Sequence, residues 1–302
     1  MTSILFSILG IYIFILVGYV AKRQFKAQMD ERTITLLSVY FLQVFLTIWG
    51  LLKRPIDTTL VMTPLIYLSV TLLALGLMFP LIKRLFSDPK ERSIATVAAL
   101  IGNTGNLGIP LGIALFGEAS IAYTTVINLA NVFFVYTVGV YFYSRGNFSV
   151  KNSLLNIVKL PVIWAAIFAI GLNLMGYVPS AGVEKTLMMG AYASMTIQLI
   201  LFGIYLYDVK IKELSLRLTS WTIGVKFLLL PAIAFVIISM STLPTLVKGI
   251  LFMELMMPLA VSNVNLAALY ECRPKDVTTQ VFISSLLFLG IIFVMIKIIP
   301  YL

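Results

Sequence analysis

Two polar stretches in an otherwise apolar sequence hold most of the residues able to do chemistry. Residues 98–110 read Ala-Ala-Leu-Ile-Gly-Asn-Thr-Gly-Asn-Leu-Gly-Ile-Pro, and residues 253–265 read Met-Glu-Leu-Met-Met-Pro-Leu-Ala-Val-Ser-Asn-Val-Asn. Asn103, Asn106, Asn263 and Asn265 each combine donor and acceptor groups without a fixed charge. Such amides suit a carboxylate ligand, and equally suit the capping of a broken helix. Pro110 and Pro258 each end regular helical hydrogen bonding, because proline lacks an amide proton and clashes with the preceding turn. Glu254 and Lys226 are the only ionisable residues deep within apolar runs, where charge is costly and usually functional. Glu254 could ligate sodium, carry a proton, or neutralise Lys226. Thr104, Asn128 and Gln43 could add oxygens to an ion site. Asn128 and Asn131 lie about one helical turn apart and share a face, suited to substrate or to helix–helix hydrogen bonds. Tyr40, Phe41 and Phe45 could sandwich an aromatic ligand, although aromatic residues in apolar runs commonly pack.

Other chemistries lack their residues. The sequence has no histidine, and Cys272 is its single cysteine, which excludes His-based triads, internal disulfides and thiolate clusters. No nucleophile–base pair or metal-ligand spacing appears. The glycines at 102, 105 and 108 are not followed by the Gly-Lys-Ser/Thr of a nucleotide loop.

The elements that must position these residues are membrane spans. Of 302 residues, 60% are hydrophobic and 11% charged, with a mean hydropathy of +1.03. Soluble domains carry roughly 25% charged residues. Apolar runs lie near 3–21, 34–52, 61–82, 92–116, 120–143, 156–177, 186–207, 218–239, 246–269 and 278–299, predicting an all-α integral membrane protein of ten spans. Residues 3–21 read as a first span rather than a signal peptide, because basic residues follow the run instead of preceding it.

The net charge is +10, and nearly all charges lie between the runs, which argues against a nucleic-acid surface. Sixteen of the 22 Lys and Arg residues fall on odd-numbered connections, five on the other side, and Lys226 lies within the eighth run. By the positive-inside rule this places both termini outside a plasma membrane. Five spans per half then require the second half to enter inverted, giving repeats over 1–150 and 151–302 divided by the connection 144–157. Val17-Gly18-Tyr19-Val20 is echoed by Met175-Gly176-Tyr177-Val178, and Gln43 by Gln198. The two proline interruptions fall in corresponding spans, four and nine. Paired interruptions of this kind mark midplane sites in inverted-repeat transporters.

Gly102-Asn103-Thr104-Gly105-Asn106-Leu107-Gly108-Ile109-Pro110-Leu111 and Met257-Pro258-Leu259-Ala260-Val261-Ser262-Asn263 resemble the fourth- and ninth-helix signatures of the auxin efflux carrier family. Asn131 to Gly139 and Leu16 to Tyr19 also match, so the resemblance spans essentially the whole chain. It implies crossing broken helices four and nine, a fold like that of the sodium/bile-acid symporters, a scaffold of helices one, two, six and seven, and a mobile bundle of three to five and eight to ten. It further implies elevator-type alternating access, homodimerisation through the scaffold, and small organic anions as substrates: malate- or malonate-like dicarboxylates or auxin-like monocarboxylates. A glutamate of the ninth helix serves sodium in the similar bile-acid symporters, which would give Glu254 that role. The long hydrophilic loop of plant members is missing, and a proline frequent in the second span is replaced around Gln43.

The expectation is thus a secondary transporter driven by sodium, protons or a substrate gradient, with no resident cofactor. The other reading is a membrane-embedded sensor that binds ligand without turnover. Gly117 and Gly146 are candidate hinges.

Overall fold

The computed structural model describes residues 2–144, 157–207 and 215–302. Most of the predicted divider, with Arg145, Gly146 and Lys151, and the connection carrying Lys210 and Lys212 lie outside the described residues. Twelve helical segments make up the described chain, with no strand beyond a single isolated bridge. They are α1 (Thr2–Phe25), α2 (Glu31–Leu52), α3 (Thr58–Leu85), α4 (Pro89–Val97), α5 (Thr104–Phe116), α6 (Glu118–Tyr143), α7 (Pro161–Leu174), α8 (Ala181–Tyr207), α9 (Leu216–Ser239), α10 (Thr245–Leu255), α11 (Ser262–Leu269) and α12 (Pro274–Tyr301). Six of these (α2, α3, α6, α8, α9 and α12) are long and apolar enough to cross a membrane.

Local sequence explains the ends. The Asp30 carboxylate accepts the Arg32 amide at 3.1 Å and opens α2. Asp88 accepts the Lys90 amide at 3.0 Å ahead of Pro89, a proline at the first helical position where its missing amide costs nothing. Between α5 and α6, Gly117 takes φ +73°, a left-handed value that suits glycine at a helix end. The predicted runs 92–116 and 246–269 are each divided into two helices, α4/α5 and α10/α11, at the glycine- and proline-bearing motifs.

The chain forms two compact units. The first comprises Met1–Val61, Gly105–Val126 and Val158–Asp208. Its core is Leu46, Trp49, Ile109, Ile121, Leu187, Ala191 and Met195. Here α1 and α8 approach at their glycines: a Cβ on Gly18 would meet the Ile200 carbonyl oxygen at 1.9 Å, and one on Gly203 the Ile15 oxygen at 1.8 Å. Small residues let helix backbones touch in this way, which is a main source of helix association in lipid. Asn173 ties α7 to the end of α2, donating to the Leu51 and Arg54 carbonyls at 2.6 and 2.7 Å and accepting the Ile56 amide at 3.0 Å.

The second unit comprises Met62–Thr104, Ile127–Ile157 and Val209–Leu302. It contains both helix interruptions, at 98–103 and 256–261. Where α11 gives way to α12, Arg273 donates to Asp276 at 2.5 Å and pairs with Glu91, with Asp88 at 3.6 Å. Arg273 itself sits at φ +47°, in the left-handed region.

Candidate functional site

The two interruptions pair with each other. Gly102 and Leu259 form an antiparallel bridge in which the Asn103 amide donates to the Pro258 carbonyl at 2.8 Å and the Ala260 amide to the Ile101 carbonyl at 3.0 Å. Backbone freed from helices must find partners when water is excluded, and each break supplies the other's. Ser284 of α12 accepts the Leu259 amide at 3.1 Å.

Two asparagines complete this backbone. Asn131 on α6 donates to the Gly102 carbonyl at 2.9 Å and to Thr104 Oγ1 at 3.0 Å, while its oxygen accepts from Tyr67 at 3.2 Å. Thr104 in turn donates to Asn128 at 3.1 Å. Asn263 directs its amide at the carbonyls of Ile101 (3.1 Å), Ala260 (3.2 Å) and Ala98 (3.4 Å), and its oxygen accepts from Tyr143 at 3.0 Å. Both asparagines are buried and their hydrogen-bonding capacity is taken up by the protein. In this state they hold the bridge.

Beside the bridge the situation reverses. The Lys226 amine lies 3.0 Å from where a Cβ on Gly102 would stand, so a larger residue there would push the amine aside. Glu254 ends α10, and its backbone oxygen lies 3.7 Å from the same point. Its side chain is fully buried, and neither carboxylate oxygen has a hydrogen-bond partner. Lys226 and Glu254 interact electrostatically but make no direct ion pair among the described residues. The Asn103 side-chain amide nitrogen, Nδ2, is also buried without a partner. A buried carboxylate and ammonium of this kind are costly unless matched by a proton, an ion or a charged ligand.

Of the residues expected at the site, Asn103, Thr104, Asn128, Asn131, Lys226, Glu254, Pro258 and Asn263 belong to the second unit. Asn265 does too, but is exposed on α11. Asn106, Pro110 and Gln43, each half-buried, belong to the first unit. The first unit's cavity of about 260 Å³, lined by Trp49, Leu52, Lys53, Val178, Pro179, Glu184 and Leu187, contains none of the expected residues. Tyr67, Tyr143 and Ser284 were not anticipated. Their sequence signal is a hydroxyl within an apolar helix, which packing residues display equally often.

Long apolar helices, with breaks satisfied by each other and charges buried beside them, define a multi-pass integral membrane protein. The chain matches the sequence profile of the membrane transport protein family over residues 3–153 and again over 146–296, and it belongs to that family, the auxin efflux carriers of the motif resemblance. An uncharacterized transporter of Methanocaldococcus jannaschii is 26% identical over 297 residues, covering 92% of this chain and 93% of its own. Family and relative alike point to a transporter rather than an enzyme.

Proposed function

We propose that the protein is a secondary active transporter of small organic anions, binding the substrate carboxylate at the paired breaks. The observation that carries this reading is the buried Lys226 amine against Gly102, beside the unpartnered Asn103 amide. These supply a cation and a donor where a carboxylate needs both. A dicarboxylate, for which the sequence alone offered no assured positive charge, thereby gains a partner. Glu254 is the coupling group, exchanging a proton or sodium as the site empties and fills.

The same reading takes the protein as ten membrane crossings in two inverted repeats, 1–150 and 151–302, in the plasma membrane with both termini outside. Grouping of α1, α2, α7 and α8 in one compact unit supports their use as a scaffold and dimer surface, although that unit also takes in α5 and the start of α6. The fourth and ninth spans, α4/α5 and α10/α11, cross at the bridge, and the bundle that carries them moves as an elevator.

The test is counterflow in proteoliposomes: labelled malate, with malonate and indole-3-acetate as competitors, with and without sodium. Counterflow needs no driving gradient, so it reports cycling whatever the coupling ion. Exchange competed by one acid is expected. Binding with no exchange under any condition would instead make the protein a sensor. Glu254→Gln should retain counterflow while losing the pH or sodium dependence of gradient-driven uptake; unchanged dependence removes Glu254 from coupling.

A further inference from the structure

Two polar side chains in the second unit have no role in the bridge or the charge site. Thr219 on α9 is buried with an unpartnered Oγ1. Gln280 on α12 is fully buried, and neither its amide nitrogen nor its oxygen has a partner.

Their register gives them a place. Helices α9 and α12 begin together, where the Ser215 amide donates to the Asp276 carboxylate at 3.4 Å. Thr219 is four residues beyond Ser215, and Gln280 four beyond Asp276. Both therefore stand one turn further along, about 6 Å deeper, on the faces that bear the Ser215–Asp276 contact. One more turn along α12 is Ser284, which holds the Leu259 amide of the second break. Along α9 the same side leads to Lys226, about 16 Å beyond Ser215. Asp276, Gln280 and Ser284 are all buried, so this polar stripe faces protein rather than lipid.

Buried amides and hydroxyls are rarely left without partners, and ordered water commonly supplies what the protein does not. We propose that Thr219 and Gln280 hold buried water that carries protons between Asp276, at the membrane face where α9 and α12 begin, and Glu254 at the paired breaks. This rests on the reading of Glu254 as a proton-coupled group. Each water accepts one proton and releases another to its neighbour, so the file holds the same number of protons after a transfer; its waters then turn back and Asp276 regains a proton from the aqueous face. The proton ends on a Glu254 carboxylate oxygen, or leaves it by the reverse path. Gln280 orients the water and does not itself transfer the proton. At the Glu254 end, Lys226 and the Tyr67 hydroxyl are the other titratable groups nearby, with Tyr143 and Cys272 beyond Asn263. At the entrance, Asp276 is held by Arg273, which also engages Glu91 and Asp88.

The experiment uses the full chain in lipid and follows the infrared carboxyl band that disappears in Glu254→Gln. After a pH jump, Thr219→Val/Gln280→Met is expected to slow the response of that band by about ten-fold or more at equal final amplitude. Gln280→Asn, which keeps an amide able to hold water, should stay within about three-fold of the wild type. Malate counterflow in the same preparations reports folding and cycling independently. A wild-type rate in Thr219→Val/Gln280→Met overturns the water file, as does equal slowing by the Asn and Met variants at 280. A Glu254 band that ignores pH in the wild type overturns both the file and proton coupling, whereas intact counterflow there leaves the carrier reading standing.

Discussion

Two neighbouring regions of the second unit treat buried polarity in opposite ways. In the bridge, the Asn103 and Ala260 amides and the Ile101, Gly102 and Pro258 carbonyls are all matched, with Asn131 and Asn263 filling the remaining positions. Beside it, both Glu254 oxygens and the Asn103 side-chain nitrogen are unmatched, and Lys226 makes no direct ion pair among the described residues. Lipid cannot satisfy either set, so the contrast is one of use. A group whose valences are filled by protein is architecture; one left open at a cost in stability is held for something that comes and goes.

Substitutions can break this division. Asn263→Leu should have the largest effect, because it strips the Ile101 and Ala260 carbonyls of one donor each, removes the side-chain donor to Ala98, and leaves the Tyr143 hydroxyl without its acceptor. At about 1–3 kcal/mol for each buried group left unmatched, the loss should exceed about 3 kcal/mol. Thermal unfolding in detergent would show it as collapse of the folded, monodisperse fraction. Lys226→Met should go the other way. The ammonium lacks a direct partner, and Glu254 can be neutralised by a proton once it is gone, so an apolar side chain of similar length should raise the melting temperature. Counterflow should nevertheless fall by about ten-fold or more, as the substrate carboxylate loses its cation. A destabilised Lys226→Met with normal transport would move Lys226 to the architectural side. Gly102→Ala is intermediate. The added Cβ meets only the mobile end of Lys226, at 3.0 Å, so the fold should survive while the displaced amine weakens substrate binding several-fold.

The breaks themselves were legible because proline, glycine and asparagine act locally: helical bonding stops at 98–103 and 256–261, within or beside the motifs 102–110 and 253–265, although Pro110 itself lies inside α5. What each residue does there was not legible. Asn131 and Asn263 have the same side chain as Asn103, and only tertiary placement separates two that clamp the bridge from one with an open amide. The approach of Lys226 to Gly102 joins residues far apart in sequence, and no local pattern encodes it. Short echoes were poor guides to structure. Gly18 is a point of backbone contact with α8, whereas Gly176, its partner in the Gly-Tyr-Val echo, takes φ +71° at the end of α7.

A control for the contrast comes from the first unit, where charges are paired but exposed to solvent. Lys53 bonds Glu118 at 3.0 Å and Glu184 at 3.1 Å and lies over the Trp49 ring at 4.9 Å. Partial burial opposes its charge, but the hydrogen bonds it donates to the two glutamates outweigh that and raise its pKa above the ordinary lysine value. Its contribution is therefore fully present below the unfolded lysine pKa of about 10.4 and is lost only as pH rises through the higher folded value. Both carboxylates are about half exposed, so salt and water screen the cluster. Lys53→Met should change stability by no more than about 1 kcal/mol, a difference that shrinks in high salt. Glu118 packs with Lys53 and Glu184 in the first unit, and if the α5–α6 turn that carries it moves with the proposed bundle, this contact opens in each cycle. Its removal should then speed counterflow by about two- to five-fold, the rate equivalent of that small energy. Slower exchange in Lys53→Met would show that the cluster belongs to a moving surface as a whole, and would redraw the boundary between scaffold and bundle at the α5–α6 turn.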